Sequence, residues 1–269
     1  MSDTSVPVGF GIGLIAAAVA ATASSADSVA TLGLEGVAVA FRLAIESQRA
    51  SRDIEESDGT WARVVSSYKL EEVQQRLNKV NGTLRPLHHA YVGQVLPGSL
   101  VVFGPPSTLN TLAKTSDLAQ SITSTPTPSK CLMYGSHLPP VDTAKVMCVS
   151  PVREACTIQR SLFSAHSPAG SLSAGTFGEL LRLTVSEIAH KSMQVEETFR
   201  TVATALQKTG SSEVVLTTVG STWDASTFQD ILHQHDQSVR IGELSPCPKP
   251  FGDDLSSIPS LGIRGHEGR

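Results

Sequence analysis

Apolar positions open the chain as a nearly unbroken block from Val6 to Ala23. Thr4–Val8 reads as a short strand, Gly9, Gly11 and Gly13 mark a tight turn, and Leu14–Ala23 reads as a helix of small residues. A second helix is predicted from Asp27 or Ser28 to about Ser47, with Asp27 as its N-cap and Val29, Leu32, Val37, Phe41 and Leu43 on its apolar faces. Two apolar helices in succession imply burial against a sheet. Arg49–Gly59 is charged and predicted to be a solvated loop or frayed helix end, after which Trp61–Tyr68 re-enters the core.

From Lys69 the pattern becomes compact. Helix Leu70–Val80, strand Ala90–Leu96, a Pro97-Gly98 turn, strand Leu100–Phe103, a helix from Ser107 to about Ile122, and strand Lys130–Tyr134 give an α-β-β-α-β order. The Ser/Thr/Pro run Thr123–Ser129 cannot continue a helix. A larger rhythm then returns: an apolar strand at Val146–Val149, an amphipathic helix at Thr176–Ala189, a helix at Val195–Gln207 ending at Gly210, and strand Glu213–Val219. The expected organisation is a single α/β domain over 1–245, with a core of about 1–68 and 131–245 and a small inserted α+β subdomain of about 69–130. After Pro246 the chain is Pro-, Ser- and Gly-rich, so 246–269 is expected to be a disordered tail or linker remnant.

Composition narrows the function classes. The chain has 269 residues, 40% of them hydrophobic and 17% charged, enough for one sizeable core. Its formal net charge of −4 offers no positive footprint for nucleic acid or anionic membrane. The opening apolar block has Asp3 where a signal peptide carries a cation, and it is broken by Pro7, which favours a buried helix over a targeting or spanning segment. Cys131, Cys148, Cys156 and Cys247 form no CxxC pair, so neither a zinc site nor a disulfide framework is expected. A reducing, cytoplasmic setting follows. His88 and His89 precede a strand, and His233 and His235 stand two apart on a helical stretch, where they do not share a face; no metal site is expected.

Gly9-Phe10-Gly11-Ile12-Gly13 after a strand begins like a dinucleotide fingerprint, but Leu14 stands where the third small residue belongs. The same spacing fits a nucleophile elbow, G-x-Nuc-x-G, whose glycines let the middle residue project from the turn. Here that middle residue is Gly11, which projects nothing.

The passage resembles the GxCxG elbow and Ala/Val-rich helix of the starter-unit acyltransferase domains of fungal non-reducing polyketide synthases. Gly104-Pro105-Pro106-Ser107 resembles that family's glycine-proline turn, and Tyr134-Gly135-Ser136-His137-Leu138-Pro139-Pro140 resembles the segment bearing its catalytic histidine. The resemblance runs from about Val6 to Val219 in the same order. It implies an acyltransferase core of the malonyl-CoA:ACP transacylase type, with an inserted ferredoxin-like subdomain and a longer stretch before the elbow. It also implies transfer of an acyl group from acyl-CoA, or another acyl thioester, to an acyl carrier protein through a cysteine thioester, without a cofactor. By that resemblance His137 is the base, Gly11 holds the cysteine's position, and Phe10 and Ile12 flank the substrate and oxyanion. Catalysis is impaired if Gly11 stands at that position. The alternative is a non-catalytic module that binds an acyl carrier protein or a polyketide synthase.

Overall fold

The computed structural model describes residues 5–66, 69–115, 122–123, 127, 129–210, 213–217, 225–235 and 237–242. The predicted tail after Pro246 lies outside the described residues, as does Cys247. The chain divides into two units, Met1–Thr209 and Gly210–Arg269.

The first unit begins with β1 (Val8–Gly9), α1 (Gly13–Thr22), α2 (Ala26–Ile54), β2 (Ala62–Ser66) and α3 (Leu70–Asn81). A 3₁₀ turn at Pro86–His88 leads to β3 (Tyr91–Leu96), β4 (Ser99–Phe103), α4 (Pro106–Thr115) and β5 (Ile122–Thr123). Then come α5 (Thr143–Met147), α6 (Pro151–Ala155), β6 (Leu162–Ser164), β7 (Ser171–Leu172), α7 (Phe177–His190), β8 (Met193–Gln194) and α8 (Val195–Lys208). The second unit holds β9 (Glu213–Thr217), α9 (Ala225–Gln234) and β10 (Ser238–Gly242), a β-α-β crossover whose strands pair in parallel.

The opening apolar block is core. Leu14, Ala18 and Ala21 of α1 are fully buried, and the small side chains let α1 lie against both α2 and α7. Helix α2 starts earlier and ends later than its apolar pattern predicts. Ser25, not Asp27, is the N-cap: its hydroxyl accepts from the Ser28 amide while the Ser28 side chain accepts from the Ser25 amide. At the other end the helix runs through the stretch predicted as a loop, because the buried stripe of Leu32, Gly36, Val39 and Leu43 continues onto Ser47 and Ser51. The Ser51 hydroxyl is satisfied internally, donating to the Ser47 carbonyl at 2.8 Å and accepting from the Leu132 amide at 2.8 Å. The opposite face keeps Leu34, Val37 and Phe41 exposed by 75%, 69% and 67%. By length and composition α2 is the one helix among the described residues able to cross a membrane, with 22% of its most apolar stretch buried here.

Two sheets organise the first unit. The smaller has the order β1-β6-β7, with β1 and β6 parallel. The larger has the order β5-β2-β4-β3-β8 and contains the predicted hairpin, Leu96 pairing with Ser99 across Pro97-Gly98. It reaches beyond 69–130, since β2 pairs along its whole length with β4 and β8 adds to β3 in parallel.

Two predicted strands are not strands. Val146 and Met147 of the Val146–Val149 run lie in α5, and Cys148 is its C-cap; Asp142 caps the other end by accepting from the Lys145 amide, and a four-residue apolar run has no periodicity to separate strand from helix. Lys130–Tyr134 joins no ladder. The Tyr134 and Gly135 amides instead donate to the Ile188 and Ala189 carbonyls, and Tyr134 holds φ at +65°. The predicted helix through Ile122 ends sooner, with Ile122 in β5.

Candidate functional site

The three glycines after β1 have different reasons to be glycine. A Cβ on Gly9 would lie 2.5 Å from the Leu14 Cα, so the close approach of strand and helix backbones forbids one. Gly11 adopts φ +52°, the left-handed region that side-chain-bearing residues avoid. Gly13 has open space around it and starts α1. The Gly13 and Leu14 amides donate to the Phe10 and Gly11 carbonyls at 2.9 and 3.0 Å, so the strand passes into the helix through one tight turn. That is an elbow with position 11 at its tip.

Sheet register brings a distant residue to the same edge. Gly9 pairs with Ser164 in parallel, so both strands end together; Gly11 stands two residues past the end of β1 and His166 two residues past the end of β6. The carboxyl ends of adjacent parallel strands are where open α/β sheets place their reactive groups. The loop carrying His166 is pinned on both sides, the Ala165 amide donating to the Gly9 carbonyl at 3.1 Å and the Ala165 carbonyl accepting from the Gln194 amide at 2.7 Å. His166 Nδ1 bonds the Lys191 carbonyl at 2.8 Å, which fixes the proton on that nitrogen and leaves Nε2 as acceptor. Nε2 is buried and has no partner. Burial holds the imidazole below its usual pKa, although the Lys191 carbonyl and the Glu187 carboxylate act the other way.

Beneath the loop, Glu187 accepts from the Ser164 and Ser167 hydroxyls, each at 2.5 Å, and from Lys191 Nζ at 3.0 Å. Burial alone would raise the pKa of this carboxyl; the hydroxyl donors and the ammonium bring it below the usual value. Ser164 also accepts from the His166 amide at 3.1 Å, so the carboxylate holds the residue that holds the histidine.

Tyr134 connects this histidine to the elbow. Its ring stacks on His166 with centroids 5.3 Å apart and meets Phe103 edge-on at 5.4 Å. Its hydroxyl lies 2.9 Å from where a Cβ on residue 11 would be. Burial pushes its phenol up to about 12, with the nearby Cys131 adding to the rise and a hydrogen bond with the Gln94 side chain opposing it.

His137 is placed elsewhere in the same aromatic cluster. It meets Tyr91 edge-on at 4.6 Å and lies 6.2 Å from His89, with its Nε2 buried and unpartnered. Burial lowers its pKa first and the charge of His89 lowers it further. Ring contacts therefore join Tyr134 to His166, and His137 to Tyr91 and His89. Of the residues flanking the elbow tip, Phe10 packs edge-on against Phe199 at 5.4 Å and Ile12 is 48% exposed. No metal-binding cluster occurs among the described residues. A cavity of about 150 Å³ between α2 and Leu138–Asp142, and a groove of about 480 Å³ over Val92 and Val95, include none of Gly11, Tyr134 and His166.

His166 was missed in sequence because β6, which positions it, is three residues long and pairs with a strand far away; the signal was Ser164-Ala165-His166-Ser167 directly after apolar Leu162-Phe163. Chemically the arrangement offers a base without a nucleophile. Gly11 has no side chain, the Tyr134 phenol stays protonated near neutrality, and burial lifts the Cys131 thiol to about 11, away from a reactive thiolate.

Comparison with known proteins supplies the lineage. Residues 2–133 match the family described as "Starter unit:ACP transacylase in aflatoxin biosynthesis". The chain is 39% identical to orsellinic acid synthase of Emericella nidulans over 98% of its own length, covering 12% of that protein. It is 25% identical to a non-reducing polyketide synthase of Menisporopsis theobromae over 89% of its length, covering 11% of that protein. The chain thus spans about an eighth or less of either synthase. Among solved structures, the malonyl CoA-acyl carrier protein transacylase from Clostridium perfringens aligns with a TM-score of 0.57 at 14% identity, over 87% of this chain and 66% of that one. This likeness bears out the acyltransferase-type α/β fold. With elbow, parallel strand ends and family match in agreement, the chain is similar, over residues 2–133, to the starter-unit acyltransferase domains of fungal non-reducing polyketide synthases.

Proposed function

We propose that the chain is an acyltransferase-type domain of fungal polyketide biosynthesis that engages an acyl carrier protein and its acyl group without forming a covalent acyl-enzyme. The observation that carries this reading is the elbow tip: Gly11 supplies no nucleophile, and the space a side chain would enter is held by the Tyr134 hydroxyl. Covalent acyl transfer needs an oxygen or sulfur at that point to attack the thioester carbonyl. The base in this reading is His166 rather than His137, because His166 has the oriented Nδ1, the acceptor Nε2 and the place beside the elbow. Cytoplasmic residence and partnership with a polyketide synthase belong to the same proposal, as does the absence of any cofactor.

The retained histidine favours a second reading, direct transfer. There the carrier's phosphopantetheine thiol gives its proton to His166 Nε2 and attacks an acyl-CoA carbonyl, and the CoA thiolate leaves and takes the proton back. One experiment covers both. Intact-mass spectrometry after incubation with acyl-CoA and holo-carrier protein is expected to show no adduct on this chain, together with measurable carrier binding by calorimetry. An acyl adduct on this chain overturns the proposal; acylated carrier without an adduct selects direct transfer.

A further inference from the structure

Tyr134 has features that a packing residue does not need. It is one of two described non-glycine residues with positive φ, at +65°, and it faces the other left-handed residue of the site, Gly11 at +52°. Backbone strain of this kind persists only where surrounding contacts over-determine it. Here those contacts are the amide bonds of Tyr134 and Gly135 to the end of α7, the His166 face and the Phe103 edge. The residue is 6% exposed.

We propose that Tyr134 is a fixed stopper of the elbow: its hydroxyl excludes any side chain at position 11. This deepens the reading of a site without a covalent intermediate and rests on it. The geometry isolates one atom. A Cβ at position 11 would meet the Tyr134 Oη at 2.9 Å, while the next nearest atom, Cζ, is at 3.8 Å, an ordinary contact. Loss of the hydroxyl alone therefore makes room. A tyrosine at the tip of a flexible loop would swing aside, but this ring is stacked on His166 and meets Phe103 edge-on, and the backbone is held by the Tyr134 and Gly135 amides, so it cannot yield cheaply. The phenol also does not replace the missing nucleophile, since burial keeps it protonated. A nucleophile at the elbow tip is thus denied twice, by the glycine at residue 11 and by the hydroxyl at residue 134.

The test is a double-mutant cycle read without reference to activity. Gly11→Ala pays for positive φ in either background, but pays for the clash only when Tyr134 is present. Thermal unfolding is therefore expected to show Gly11→Ala lowering Tm more in the wild-type background than in Tyr134→Phe, by about 3 °C or more. Equal losses in the two backgrounds overturn the stopper. A second arm uses Gly11→Cys with and without Tyr134→Phe and measures alkylation by N-ethylmaleimide. At least a tenfold faster reaction in the double variant is expected; equal rates overturn the proposal. The Ala cycle needs only Tyr134→Phe, a deletion of one oxygen, to fold. Failure of the cycle leaves carrier binding without an adduct untouched, and an acyl adduct on the native chain would overturn the earlier reading whatever the cycle shows.

Discussion

Two histidines in the first unit have similar side-chain environments and opposite prospects. His166 and His137 each bury an Nε2 without a partner, and burial lowers the pKa of each. They differ in what holds them. His166 has its second nitrogen bonded to a carbonyl, a carboxylate network beneath its loop, and a position at the ends of two parallel strands. His137 has ring neighbours, one of them another histidine whose charge opposes its own protonation. A buried imidazole becomes a usable base when its tautomer is fixed and its free nitrogen lies where a substrate can arrive; burial alone supplies neither.

The comparison breaks hardest at Glu187. Glu187→Ala leaves Ser164, Ser167 and Lys191 without their shared acceptor and is expected to cost about 3 kcal/mol of stability, read by urea unfolding, whereas His137→Ala should cost about 1 kcal/mol. Equal losses would mean that the network has no special hold on the His166 loop. The elbow gives the next effect. Gly9→Ala drives a Cβ into the Leu14 backbone and is expected to cost about 2 kcal/mol, while Gly13→Ala, in open space at the start of α1, should be neutral or stabilising by about 0.5 kcal/mol.

A pH series sharpens the contrast. Both folded imidazoles bind protons less readily than the unfolded chain, whose histidines titrate near 6.5. Stability is therefore complete above that value and falls as the pH drops toward the folded-state values, because protons favour the unfolded chain. His166→Gln and His137→Gln should each flatten that limb of a Tm-against-pH curve. The smallest effect is also the most selective. His89→Gln removes the charge that lowers His137 and should raise the His137 pKa while leaving His166 unmoved; Glu187→Gln removes a charge that raises His166 and should lower its pKa alone, both followed by histidine ring NMR.

Much of the fold was legible because local chemistry announced it. The amphipathic pattern of Thr176–Ala189 matches α7, and Pro97-Gly98 sets the hairpin register. Ser47 and Ser51 misled because a buried stripe was assumed to be apolar, although their spacing continued it. Asp142 was a helix cap with no apolar period to point to. At the site, the elbow was readable from its glycines, whereas the histidine was not. Recognising His166 requires knowing that Leu162–Ser164 lies beside Val8–Gly9, and nothing within either segment records that pairing. Tyr134 was legible only as part of a motif assigned to its neighbour three residues on.

The pairing of Val8 with Phe163 also sets a clock on synthesis. At ~5–20 residues per second, a ribosome takes ~8–30 s to deliver β6 after β1 has been made. Through that interval the strand lacks its partner among the described residues, and α1, apolar on almost every side, has not yet received α7. The elbow is thus made well before it is assembled, and the apolar block that carries it is the segment that a nascent-chain chaperone would be called on to shield.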